Sequence, residues 1–81
     1  MVKVDYDTYF KKVFDRLDKS IRIRVEKALI KIINNPEIGK PMRFARKGTR
    51  EVYVSPFRLS YAYIPQENKI LILELYHKDG Q

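Results

Sequence analysis

The sequence predicts an α+β fold: an N-terminal helical hairpin packed on a three- to four-stranded, mainly antiparallel sheet. Three observations predict it. Apolar residues recur at helical spacing up to Ile33, and after Gly39 the period becomes two. Asn34-Asn35-Pro36 closes the first half. Pro65-Gln66-Glu67-Asn68 supplies a turn inside the second.

Val2-Lys3-Val4 alternates over a length that suits only a short edge strand. Asp5 or Asp7 can cap the helix that follows, because a carboxylate accepts from the free N–H groups there. Tyr6, Tyr9, Phe10, Val13, Phe14 and Leu17 then make one helical stripe. Asp18-Lys19-Ser20 interrupts it, and Asp18 or Ser20 can cap a second helix. Ile21, Val25, Ala28, Leu29, Ile32 and Ile33 form that helix's apolar face. Ile23 and Ile30 lie off the stripe. Either the helix is sandwiched between its neighbour and the sheet, or these two seat a partner.

Met42 and Phe44 alternate with basic residues, as a strand would. Gly48 permits a turn. Val52 and Val54 point one way, Glu51 and Tyr53 the other. Ser55-Pro56 breaks the run. Phe57, Leu59, Tyr61 and Tyr63 share a face, opposite Arg58, Ser60, Ala62 and Ile64. Lys69 to Leu75 is nearly all apolar and suits a central strand.

Eighty-one residues make one domain, 1–81. A chain this short buries about 60% of its unfolded surface, so modest stability is expected. The net charge is +7 and the pI is near 9.8. This favours RNA, DNA, an anionic membrane or an acidic protein as partner. Cysteine is absent, which excludes disulfide and thiolate chemistry. No run approaches the roughly 18 apolar residues of a membrane span. The N-terminus carries no signal-peptide apolar region. A soluble, cytoplasmic protein is expected.

No P-loop, dinucleotide fingerprint or zinc spacing is present, so no cofactor and no metal is expected. The chemistry-bearing residues gather in the second half. Lys40 to Arg50 holds five cations and no acid. Within it Arg43, Arg46, Lys47 and Arg50 are candidates for holding a nucleic-acid backbone, with Tyr53 following on the next strand. Arg58 lies among small same-face neighbours, Ser60 and Ala62. It can clamp a phosphate bidentately, or pair with Glu51 or Glu74 across the sheet. Tyr76-His77-Lys78-Asp79 leaves the buried strand directly. Its tyrosine, histidine and lysine can move protons or contact phosphate. The other reading of this stretch is a frayed polar terminus.

The order of these elements resembles the RelE/ParE toxin superfamily over nearly the whole chain. Asn35-Pro36-Glu37-Ile38-Gly39-Lys40-Pro41-Met42 is similar to that family's stretch after its helical hairpin. Glu51-Val52-Tyr53-Val54 followed by Phe57-Arg58-Leu59-Ser60-Tyr61 resembles its strand pair. Leu75-Tyr76-His77-Lys78-Asp79 resembles its closing strand and tail. The resemblance implies a toxin of a type II toxin–antitoxin system with a cognate antitoxin as partner. For RelE-like members it implies ribosome-dependent mRNA cleavage, in which a 2′-OH attacks the adjacent phosphate. On that resemblance Arg58 clamps the phosphate, His77 or Tyr76 is acid or base, and Lys78 stands beside them. Ile23 and Ile30, or the basic cleft, would seat the antitoxin. RelE-like members carry two lysines on the strand before the arginine; this chain has Glu51 and Tyr53. ParE-like members instead inhibit gyrase, and the shared fold does not choose between these functions.

Overall fold

The computed structural model describes residues 1–80. Strand β1 (Lys3–Tyr6) leads into helix α1 (Thr8–Arg16) and helix α2 (Lys19–Asn34). Four strands follow: β2 (Lys40–Pro41), β3 (Arg50–Val54), β4 (Phe57–Ile64) and β5 (Lys69–His77). They form one five-stranded sheet in the order β1-β5-β4-β3-β2. The β1–β5 pair is parallel and the other pairs are antiparallel. The expected three to four strands become five because both short edge segments pair.

The hairpin's corners follow from local chemistry. Asp7 accepts from Tyr9 N at 2.9 Å, so α1 starts after it and Tyr6 belongs to β1, not to the helix. Asp18 accepts from Ile21 N at 3.0 Å and from the Ser20 hydroxyl at 2.9 Å, which opens α2. These bonds to the ionised carboxyl, the Ile21 one foremost, hold Asp18 below its usual pKa.

Both helices cover one face of the sheet. Phe10, Val25, Ala28, Leu29 and Ile32 meet Val54, Leu59, Tyr61, Ile70, Ile72 and Leu75 there. Burial of this apolar area is the main favourable term for so small a chain. The sandwich expectation for α2 does not hold. Ile23 and Ile30 are 40% and 57% exposed, because the sheet and α1 take only one side of the helix.

Two further departures shape the site. The strand expected through Met42 and Phe44 stops at Pro41. Residues Phe44–Arg46 turn instead as a short 3-10 helix, with Phe44 at φ 57°. Proline ends the ladder because it has no N–H to offer. The second departure is a bulge in β5. Ser60 pairs with Glu74 but Tyr61 pairs with Ile72, which leaves Leu73 unmatched. Strict alternation from Ile70 and Ile72 would send Tyr76 to the helix side. The bulge inverts the parity, so Leu75 enters the core and Tyr76 points away from it.

Tyr61 fixes the crossing from α2 to β2. Its hydroxyl donates to Pro36 O at 2.8 Å and accepts from Gly39 N at 2.8 Å. A Cβ on Gly39 would lie 2.6 Å from that hydroxyl, so glycine is required here by space. Arg50 completes the clamp through Nη1, which donates to Glu37 O at 3.0 Å and Gly39 O at 2.8 Å.

Candidate functional site

Register builds the site on the face away from the helices. Tyr53 pairs with Arg58, and Arg58 pairs with Tyr76, giving one row across β3, β4 and β5. Lys40, Glu51 and Ser60 make the adjacent row. Residues directly opposite in antiparallel strands share a face, so both rows open the same way.

Glu51 is the hub. Its side chain is 4% exposed, yet it lies on the polar face. Its Oε2 accepts from Arg46 Nη1 at 3.0 Å and from the Tyr76 hydroxyl. Its Oε1 lies 3.7 Å from Arg58 Nη1. Arg46 Nη1 also reaches the Tyr76 hydroxyl at 3.2 Å, and its guanidinium lies 5.1 Å from the Tyr76 ring centre. A buried carboxylate is costly unless paired and hydrogen-bonded, and here it is both.

Burial lifts the Tyr76 phenol above its usual pKa. The hydrogen bond to Glu51 and its negative charge lift it further, while Arg46 and Arg58 oppose. Tyr76 therefore holds its proton at neutral pH and points it at a carboxylate. Arg58 Nε, among the described residues, is buried without a hydrogen-bond partner. That N–H is shut off from solvent, and the pairing with Glu51 runs through Nη1 instead.

The candidate residues divide clearly. Arg58 and Tyr76 stand together in the cluster, and Arg46 joins them from its 3-10 turn. Tyr53 is half-exposed, with Arg58 and Lys78 each 5.9 Å from its ring centre. Lys78 is thereby brought to the cluster's rim. His77 is not brought in. It pairs with Phe57 across the strands, packs edge-on against that ring at 5.6 Å, and accepts from Asp79 N at 3.2 Å. Phe57 packs on the core, so His77 lies on the helix side. Arg50 also turns to that side and spends its Nη1 on the two carbonyls. Arg43 and Lys47 are exposed on the basic loop. Ile30 lines an apolar groove of about 450 Å³ with Tyr6, Phe10, Phe14, Leu29 and Ile33, which Ile23 does not join.

Sequence reading offered Glu51 as a partner for Arg58, a pairing found here at 3.7 Å, but not as a site residue in its own right. A signal existed: it is the first acid after five cations, and it alternates with Val52 and Val54 onto the face of Tyr53. Read alone, it is an acid where RelE-like members carry lysine. Structure instead makes it the group around which the others assemble.

A helical hairpin behind a small mixed sheet is the fold of solved toxin–antitoxin toxins. The RelBE2 toxin–antitoxin complex from Mycobacterium tuberculosis matches at TM-score 0.84 and 23% identity, over 95% of this chain and 98% of that one. The YoeB/ParE toxin from Agrobacterium tumefaciens matches at TM-score 0.84 and 11% identity, over 94% and 98%. The intact Escherichia coli RelBE complex matches at TM-score 0.80 and 18% identity, over 95% and 96%. No curated protein gives a significant sequence match. The chain belongs to the RelE/ParE toxin superfamily: the family model described as the ParE toxin of the type II toxin–antitoxin system, parDE, matches residues 4–81. Among the described residues, no helix is long and apolar enough to cross a membrane.

Proposed function

We propose that this protein is the toxin of a type II toxin–antitoxin system that cleaves mRNA on the ribosome and so represses translation. One observation carries the proposal. A buried carboxylate, a protonated tyrosine and two arginines converge on the open sheet face. That set suits transfer of a phosphoryl group to a neighbouring hydroxyl. Arg58 and Arg46 would hold the non-bridging oxygens and stabilise the charge that grows there. Glu51 Oε1 would take the proton from the attacking 2′-OH. Tyr76 would protonate the departing 5′ oxygen as the P–O5′ bond breaks. The products are a 2′,3′-cyclic phosphate and a 5′-hydroxyl. Solvent then takes the proton from Glu51 and returns one to Tyr76, and the site is restored. Tyr53 offers a ring on which a base can stack, and Arg43, Lys47 and Lys78 hold backbone around it. A ribosomal target implies action in the cytoplasm.

The partner in this reading is a cognate antitoxin, as in the RelBE relatives whose structures are toxin–antitoxin complexes. The apolar groove at Ile30 and the cationic face are the two surfaces it would cover.

The test adds purified protein to ribosomes programmed with a defined mRNA and maps the RNA ends. New ends inside the A-site codon are expected. Arg58→Ala and Glu51→Gln should each slow cutting about 10²- to 10³-fold, the cost of removing one oriented charge from a preorganised site. Intact mRNA with folded wild-type protein would sink the proposal. One observation favours the alternative of a non-catalytic, gyrase-directed binder: Glu51 already occupies both arginines. Gyrase-dependent DNA breaks alongside intact mRNA would decide for it.

A further inference from the structure

The loop between β2 and β3 presents a side chain that neither the core nor the Glu51 cluster uses. Phe44 is 92% exposed. A full aromatic ring in water gains nothing for the fold. Its backbone is also held at φ 57°, a left-handed conformation that bulky side chains rarely adopt and that costs on the order of 1 kcal/mol. Glycine serves such a position at lower cost four residues later, at Gly48. The chain therefore keeps an exposed, strained phenylalanine where a smaller residue would fold more easily.

The surroundings say what it faces. Phe44 sits between Arg43 and Arg46 in a segment of five cations and no acid. With Lys40, Pro41, Met42 and Arg43 it lines an open hollow of about 650 Å³. That lies within the about 300–1,000 Å³ of small-ligand pockets. Arg46, on the same 3-10 turn, points inward to Glu51 and Tyr76. Two residues of chain keep the Phe44 and Arg46 Cα atoms within about 7.6 Å of each other. The turn is held from below: Thr49 donates to Arg46 O through its hydroxyl at 2.7 Å, and Met42 N donates to Thr49 O at 3.0 Å. One turn thus carries a phosphate-seeking arginine on its inner side and a bare aromatic face on its outer side.

We infer that Phe44 is a stacking platform for an unpaired base of single-stranded RNA, next to the nucleotide held at the Glu51 cluster, with Arg43 and Lys40 on its backbone. Stacking uses the π-face that every base has, and flanking cations neutralise the phosphates between stacked bases. The inference rests on the reading of the cluster as an RNA site and adds a second subsite to it. The bound strand would then be gripped at two points, and the hold on the outer base would be tolerant of sequence.

The sequence contains no tryptophan, so Phe44→Trp installs a single indole at this position. The Arg58→Ala background keeps the strand uncut. Titration with a short single-stranded RNA should quench the indole, and a duplex of the same sequence should not. Phe44→Ala should weaken binding of that single strand about tenfold or more. Phe44→Gly should weaken it equally while melting no lower than wild type, because glycine relieves the backbone. An unquenched indole, with Phe44→Ala binding RNA as wild type does, would overturn the inference. So would quenching by an acidic peptide and not by RNA, which would make the loop a protein-docking surface. Ribosomal cleavage is scored separately. Quenching without cleavage would leave the subsite standing and remove the endonuclease reading.

Discussion

Tyr61 and Tyr76 stand on neighbouring strands and point to opposite sides of one sheet. Burial raises both phenols above their ordinary pKa. Tyr61 gives and takes its hydrogen bonds with two backbone groups, Pro36 O and Gly39 N, which have nowhere else to go. Tyr76 shares its hydroxyl with a carboxylate and a guanidinium, both of which can change partner when a phosphate arrives. The same contrast separates Arg50, whose Nη1 is bound to two carbonyls, from Arg58, whose Nη1 faces the Glu51 carboxylate at 3.7 Å. What distinguishes architecture from chemistry here is the identity of the partners: fixed backbone on one face, exchangeable charge on the other.

The comparison is broken most directly by removing one oxygen at a time. Tyr76→Phe should cut ribosomal mRNA cleavage about 10²- to 10⁴-fold, the usual worth of a positioned acid, with little change in urea midpoint. Tyr61→Phe should do the reverse. It should cost about 1–3 kcal/mol in urea unfolding by stranding two buried backbone groups, while the folded fraction cleaves normally. Alike behaviour of the two variants would collapse the distinction.

Adjacent residues on β4 sharpen it. Leu59 is fully buried and Arg58 is its neighbour on the other face. Leu59→Ala should cost about 2–5 kcal/mol of stability. Arg58→Ala should cost less than about 1 kcal/mol, because its side chain is 35% exposed and Glu51 keeps Arg46 and Tyr76. A large stability loss for Arg58→Ala would recast it as a structural arginine.

Titration gives a smaller effect with a definite sign. Both phenols bind their protons more tightly in the folded chain than in the unfolded one. Their contribution is complete below pH 10 and is lost as the pH rises from there through the raised native values. Denaturation curves at increasing alkaline pH should show this fall, and Tyr61→Phe or Tyr76→Phe should flatten it. A fall of the same steepness in the double variant would assign the effect elsewhere. The smallest effect is expected at the α2 cap. Asp18 has a depressed pKa, so its contribution is present above the usual carboxyl value of 3.8 and is lost as pH falls through the native one. Asp18→Asn, which still caps, should leave stability at neutral pH nearly unchanged and weaken its dependence on acid. Unaltered acid melts would discount the cap's charge.

Most of the layer structure was legible in the residues. The two helices and the division of β4 into a core face and a polar face follow from spacing alone, while spacing left each cap between two residues and began the first stripe at Tyr6, which lies in β1. What spacing could not supply was the parity of β5. Alternation counted from Ile70 and Ile72 sends His77 outward and Tyr76 inward, and only the extra residue at Leu73 reverses them. A bulge is a property of two strands in register, so one strand's sequence does not display it. The full role of Glu51 was hidden for a related reason. Spacing offers it as a partner for Arg58, and only the neighbouring strands show that a tyrosine and a second arginine aim at the same carboxylate. The short β2 was overextended because Met42 and Phe44 alternate correctly, while Pro41 and the left-handed Phe44 stop the ladder.

The pairing of β1 with β5 has a consequence for how the protein is made. Lys3 to Tyr6 are made well before their strand partner, Lys69 to Ile72. Tyr76 follows later still. The nascent chain can form its helical hairpin early, since those contacts are local, but the sheet must wait for both ends. Glu51 therefore meets no Tyr76 until the ribosome has passed β5. A ribosome that has not yet passed β5 holds a chain whose site does not yet exist.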